Sequence, residues 1–186
     1  HPAEADVVIA VPDSSNPAAI GFSKQSAIPF NHGMIRSHYV GRTFIQPSQQ
    51  IRDFGARVKY NAVRGLLAGK RVVVVDDSIV RGTTSRQIVT MLRNAGAREI
   101  HFRSSAPPWV NPCYYGIDTP SEKELIANSN SVDEIRQFIG ADTLGYISIE
   151  GLHRVMPRML TYCNACFDGK YPGGKPNSIR KDFLEL

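Results

Sequence analysis

"KRVVVVDDSIVRGTTSRQIV", residues 70–89, runs four consecutive valines into two adjacent aspartates, then a short polar loop and a stretch of helical period. Buried strands seldom end in paired carboxylates. Desolvated together, Asp76 and Asp77 would repel, and one would be neutralised unless a cation or ligand hydroxyls compensated. A sugar diol with a hard divalent ion does both, because carboxylates accept hydrogen bonds from hydroxyls and coordinate magnesium through oxygen. The alternative is a solvated turn capped by one aspartate. The next residues, "IVRGTTS", supply Gly82 for a tight backbone path and then Thr83, Thr84 and Ser85 as hydroxyl donors where a helix begins. Exposed N–H groups and the helix dipole make such a start a phosphate seat; the plainer reading is that Thr83 or Thr84 caps the helix. The loop is neither a Walker loop nor a G-x-G-x-x-G dinucleotide turn.

Outward from this stretch, apolar runs alternate with segments of helical period, the pattern of an α/β protein with a mostly parallel sheet flanked by helices. Strands are predicted at 6–11, 71–75, 99–105 and 143–149. A helix is expected through Ile20 and Phe22, and another with Ile88, Val89, Leu92 and Ala95 on one face, ending at Asn94 and Gly96. Residues 32–50 read as a long loop with little structure of its own. Ser121 with Glu124, and Ser131 with Glu134, have capping-box spacing and predict two helix starts. In open α/β sheets ligands bind beyond the carboxyl ends of the strands. A second such end, "VPDSSN" (11–16), offers Asp13, Ser14, Ser15 and consecutive N–H groups to another anion. Two anion seats beside one diol site describe a ligand with a phosphate at one end of a ribose and a pyrophosphate at the other.

The chain of 186 residues is the size of one large domain, and no run of about 18 apolar residues predicts a membrane span. It opens "HPAEAD", without an initiator methionine or a leader, and reads as a piece of a longer chain. The net charge of +5 suits either an anionic ligand or an acidic partner domain, and the dispersed basic residues argue against a nucleic-acid surface. Three cysteines, Cys113, Cys163 and Cys166, are an odd number, so a disulfide framework is not expected and a reducing, cytoplasmic compartment is. The C-x-x-C at 163–166 alone fits a redox pair, a zinc half-site or an accident. Three thiolates could share one metal site if the fold brings residue 113 to the tail.

"VVVVDDSIVRGTTS" resembles the phosphoribosyl pyrophosphate signature of type I phosphoribosyltransferases. With "ADVVIAVPDSS", "YVGRTFIQPSQ", "SAPPWVNPCYYGID" and "KELIA" in matching order, the chain is similar to the amidophosphoribosyltransferase family over almost its whole length. The resemblance implies a type I phosphoribosyltransferase fold over 1–150, truncated at its amino end, a cysteine-containing tail over 151–186, and a glutaminase domain outside this chain. It implies that ammonia, drawn from glutamine, attacks phosphoribosyl pyrophosphate to form 5-phosphoribosylamine and pyrophosphate, the first committed step of de novo purine synthesis. Purine nucleotides as feedback inhibitors and a homo-oligomer follow from the same likeness. By residue, Asp76, Asp77 and Ser14 match the magnesium positions; Asp13 to Ser15 match the pyrophosphate loop; Asp76, Asp77 and Ser78 match the ribose site. Arg81, Gly82, Thr83, Thr84 and Ser85 match the 5-phosphate cradle, and Arg36, Tyr39 and Arg42 belong to a flexible closing loop. Cys113, Cys163 and Cys166 match three ligands of a structural [4Fe-4S] cluster whose fourth ligand lies upstream. One departure stands out: Arg36-Ser37-His38 replaces Lys-x-Arg, and His38, with an unperturbed pKa of about 6.5, would hold pyrophosphate more weakly until the pH falls. A salvage phosphoribosyltransferase and a phosphoribosyl-pyrophosphate-sensing regulator are the competing readings. The first would need a base-holding hood and would not explain the cysteine segments; the second would call for a winged-helix or basic RNA-binding surface, and none is visible in the sequence.

Overall fold

A computed structural model describes residues 1–37, 60–119, 121–156 and 162–175. A four-stranded parallel sheet, in the order β1-β4-β5-β6, is built from β1 (Val7–Ala10), β4 (Arg71–Asp76), β5 (Glu99–Ser104) and β6 (Thr143–Tyr146). Beside it lies an antiparallel pair, β2 (Met34–Arg36) and β3 (Tyr60–Ala62). The helices are α1 (Asn16–Ser26), α2 (Arg64–Leu67), α3 (Thr83–Asn94), α4 (Ile126–Ser129), α5 (Val132–Ile139), α6 (Ile149–Val155) and α7 (Ala165–Asp168), with a 3-10 turn at Glu122–Glu124.

The valine run makes a strand buried on both faces. Successive side chains of a strand point to opposite sides, so Val72 and Val74 join the larger core under α3 and α5, while Val73 and Val75 pack with Val8, Ala10 and Ala19 under α1. Full burial of each valine contributes about 1.5–3 kcal/mol. The outer side of β1 is also occupied: Val8 N donates to Pro29 O at 2.9 Å, and Asn31 N donates to Val8 O at 2.9 Å.

Three boundaries differ from the sequence reading. The supposed loop 32–50 contains a strand at Met34–Arg36, too short to show alternation, which forms because Tyr60–Ala62 returns beside it. Residues 38–59, which include Tyr39, Arg42 and His38, lie outside the described residues. The last strand stops at Tyr146 instead of residue 149, because Ser148 caps α6 by accepting from Gly151 N at 2.9 Å. The helix α6 then runs through the expected 150/151 division. The capping box at Ser121 and Glu124 closes only a 3-10 turn, since Leu125 adopts an extended backbone to bury its side chain completely. The box at Ser131 and Glu134 does start a helix. Among the described residues, no helix is long and apolar enough to cross a membrane.

Candidate active site at the carboxyl ends of β1 and β4

The strand period separates the two aspartates. Asp76 continues the face of Val72 and Val74 and is 6% exposed, whereas Asp77 has left the strand and is exposed. Asp76 Oδ1 accepts from Asp77 N at 2.9 Å and from Ser15 Oγ at 3.3 Å. Burial pushes the Asp76 carboxyl up to about 7, and the charge of Asp77 adds to the rise against those two hydrogen bonds. The expectation that one member of the pair is neutralised therefore falls on Asp76. Ser78 Oγ donates to Asp77 Oδ1 at 3.4 Å, and Ser105 N donates to Asp76 O at 2.9 Å, tying the end of β5 to this corner.

The start of α3, expected to seat a phosphate, takes a definite form. Gly82, not Thr83 or Thr84, is the N-cap of α3, and among the described residues no side chain caps the helix. Thr83 and Thr84 are exposed in its first turn, which holds no acidic residue, while Ser85 is buried. The first-turn N–H groups are thus left for an anion. Gly82 is favoured by its φ of +73°, and a Cβ there would in addition push the Ile126 side-chain tip, whose Cδ1 lies 2.8 Å away. Arg81 stands beside the seat, its Nε donating to Glu124 Oε1 at 3.0 Å.

Beyond β1, Asp13 and Ser14 are exposed and the Pro12–Asp13 peptide is cis. Ser15 is fully buried with its hydroxyl directed to Asp76, and the N–H groups of Ser15 and Asn16 bond to Val11 O and Asp13 O. This loop therefore offers an anion fewer donors than its composition suggests. Arg36, from β2, donates through Nη1 to Asp13 Oδ2 at 2.9 Å, and its buried Nε has no acceptor among the described residues. Tyr60, opposite Arg36 in the β2–β3 register, was not anticipated. Its phenol is pushed up by burial and by the charge of Asp76, which sets it at the acidic corner. A sequence signal was lacking, because the pairing spans residues 37–59.

The fold does bring residue 113 to the tail. Val110 N and Asn111 N donate to Cys166 O at 3.0 and 2.9 Å, Tyr171 Oη donates to Pro112 O at 2.6 Å, and Tyr114 packs on Tyr171. All three cysteines are free thiols. Burial, then the neighbouring Cys113 and Cys163, push the Cys166 thiol up to about 11. Among the described residues no group of three or more His, Cys, Asp or Glu side chains is arranged to hold a single metal ion.

A strand ending in a buried carboxylate is followed here by a glycine and the exposed first turn of a helix, so acceptors and donors stand side by side at the strand end. The family model for the phosphoribosyl transferase domain matches residues 2–135, and the chain belongs to that family. Among curated relatives it is 60% identical to amidophosphoribosyltransferase of Bacillus subtilis over 91% of this chain and 37% of the relative. It is 58% identical to a chloroplastic amidophosphoribosyltransferase of Arabidopsis thaliana over 96% of this chain and 32% of the relative. Among solved structures, the glutamine phosphoribosylpyrophosphate amidotransferase of B. subtilis complexed with ADP and GMP superposes with a TM-score of 0.80 at 60% identity, covering 91% of this chain and 38% of that one. The chain thus spans about a third of the length of the curated relatives it matches.

Proposed function

We propose that this chain performs the phosphoribosyl-transfer half-reaction of an amidophosphoribosyltransferase. Ammonia attacks the anomeric carbon of phosphoribosyl pyrophosphate, the new C–N bond replaces the C–O bond to pyrophosphate, and the nitrogen loses its extra proton to solvent. Glutamine is the nitrogen source where a glutaminase domain is present. The observation that carries this reading is the single strand-loop-helix in which buried Asp76, exposed Asp77 and the uncapped start of α3 follow one another.

In this reading the first turn of α3, with Thr83, Thr84 and Arg81, binds the 5-phosphate. Asp76 and Asp77 accept hydrogen bonds from the ribose hydroxyls, and Ser78 steadies Asp77. Asp13 and Ser14 line the pyrophosphate end. Arg36 is already held there by Asp13 and carries an unmatched donor that a second anion would satisfy. Donors fixed in advance where charge accumulates on the departing group lower the barrier. Asp76, Asp77 and Ser14 offer the hard oxygen set that magnesium prefers, and a carboxylate buried at the expense of its charge has reason to take up a cation. When bound, magnesium supplies positive charge to the leaving pyrophosphate.

The cysteine corner suits a [4Fe-4S] cluster more than a single ion. Three thiols share one neighbourhood, and a multi-atom cluster accepts thiolates standing further apart than one ion does. Purine nucleotides are proposed as inhibitors because the B. subtilis relative was solved with ADP and GMP. The cytoplasm is the proposed compartment, its reducing conditions suiting free thiols; the names of the plant relatives make the chloroplast the other candidate.

The test is pyrophosphate release by the intact protein from phosphoribosyl pyrophosphate and magnesium, with ammonium or glutamine as donor. Release with ammonium is expected; none with either donor would sink the reading. Broad brown visible absorbance that bleaches in air is expected of the cluster.

A further inference from the structure

We propose that Glu124 is a positioning residue that aims Arg81 at the 5-phosphate of the substrate; the inference rests on the function proposed above. Glu124 lies 43 residues after Arg81 and belongs to a different element, yet the two segments are joined at two points. Ile126 N donates to Val80 O at 2.9 Å, and Arg81 Nε donates to Glu124 Oε1 at 3.0 Å. Between them the Ile126 side chain closes over Gly82, its Cδ1 lying 2.8 Å from where a Cβ would stand.

The carboxylate is itself held. Its other oxygen, Oε2, accepts from Ser121 N at 3.1 Å and from Ser121 Oγ at 3.0 Å, and fully buried Leu125 anchors the turn to the core. Burial pushes the Glu124 carboxyl up, but these bonds and Arg81 together outweigh it and hold the group below its usual range. An ion pair with partners 45% and 48% exposed contributes little to stability. What it does supply is direction. A guanidinium fixed through Nε keeps its terminal amino groups available, as donors, to a second anion. A long side chain ordered before binding loses less freedom when the anion arrives.

The experiment measures ribose 5-phosphate binding by calorimetry, and KM and kcat for phosphoribosyl pyrophosphate, in the wild type, Glu124→Gln, Arg81→Ala and the double variant. Glutamine at the third position of a capping box still reaches back to the cap, so the one amide oxygen of Glu124→Gln keeps the turn, while its NH2 cannot accept from Arg81 Nε, and both the charge and the bond to Arg81 are lost. The expected result is a rise of about five- to tenfold in the ribose 5-phosphate Kd and in KM, with kcat within about twofold and melting temperature within about 2 °C. Glu124→Gln should then have no further effect in the Arg81→Ala background, because the two act as one unit. An unchanged or tighter Kd in the single variant overturns the proposal. So does an equal loss in both backgrounds, which would mark a structural role independent of Arg81. A wild type that binds ribose 5-phosphate but releases no pyrophosphate would defeat the proposed reaction, while the binding cycle still decides the role of Glu124. A wild type that binds neither ligand defeats both.

Discussion

The acidic corner and the cysteine corner are assembled by different means. Asp76 is the last residue of a strand whose neighbours on both sides are paired in register, and its main supports, Ser15 and the N–H of Asp77, stand on β1 and β4 scaffolding. Cys113 sits in irregular chain and Cys166 in the single turn of α7, the two segments joined by a few bonds to carbonyls and by a tyrosine stack. The first corner is fixed by the sheet before any ligand arrives. The second has little apolar burial of its own, and a ligand joining its thiols would be a large part of what orders it.

The largest effect is expected from Asp76→Asn. The amide keeps an acceptor for Asp77 N and Ser15 Oγ but removes the charge, and pyrophosphate release should fall about 100-fold or more. Stability should move the other way. The Asp76 pKa is raised in the fold from 3.8 to about 7, so its favourable contribution is complete below the lower value and is lost as pH rises through the upper one. The wild type should lose melting temperature between pH 5 and 8 through this residue, and Asp76→Asn should not. Identical pH profiles for the two proteins would show that the sheet does not strain this carboxylate.

Gly82→Ala comes next. A left-handed φ and a close approach to Ile126 should together destabilise the fold by about 2–3 kcal/mol, read from denaturant midpoints, and raise KM for the phosphate-bearing substrate. Tyr171→Phe removes the bond to Pro112 O and should loosen the cysteine corner by about 1 kcal/mol. Limited proteolysis should then cut faster between residues 162 and 175 while the main melting transition stays in place; a shift of that transition would show the two corners to be one cooperative unit. The smallest effect is expected from Tyr146→Phe. The Tyr146 hydroxyl is buried without a partner among the described residues, so its removal should be neutral or stabilising by up to about 1 kcal/mol.

The sheet, its order of elements and the acidic corner were legible because one run of residues carried several agreeing signals: apolar valines, a change to helical period, and a glycine between them. The spatial parity of β4 even decides which aspartate is buried, since Asp76 shares the face of Val72 and Val74. Short elements were not legible. Met34–Arg36 and Tyr60–Ala62 are three residues each and exist only as a pair, so neither has a local pattern, and Tyr60 stayed hidden with them. The break at Leu125 was equally obscure, because a capping box specifies how a helix starts and says nothing about a buried leucine that ends it one turn later. Ser15 looked like a donor for an anion from its composition. Its inward hydroxyl depends on Asp76, sixty-one positions away.

The segment that returns along β1 has a consequence for how molecules of this protein meet one another. Strand edges with free N–H and C=O groups recruit strands from other chains. At β1 the middle of that edge is already engaged, with Val8 bonded through both N and O to Pro29 and Asn31. Addition of a foreign strand there must first peel residues 29–31 away. At the opposite margin β6 is only four residues long and is followed at once by the turn into α6, which leaves an incoming strand little length to pair with. Crowded solutions of the folded protein should accordingly resist edge-to-edge growth, and aggregation should begin from partly unfolded chains in which this return has come loose.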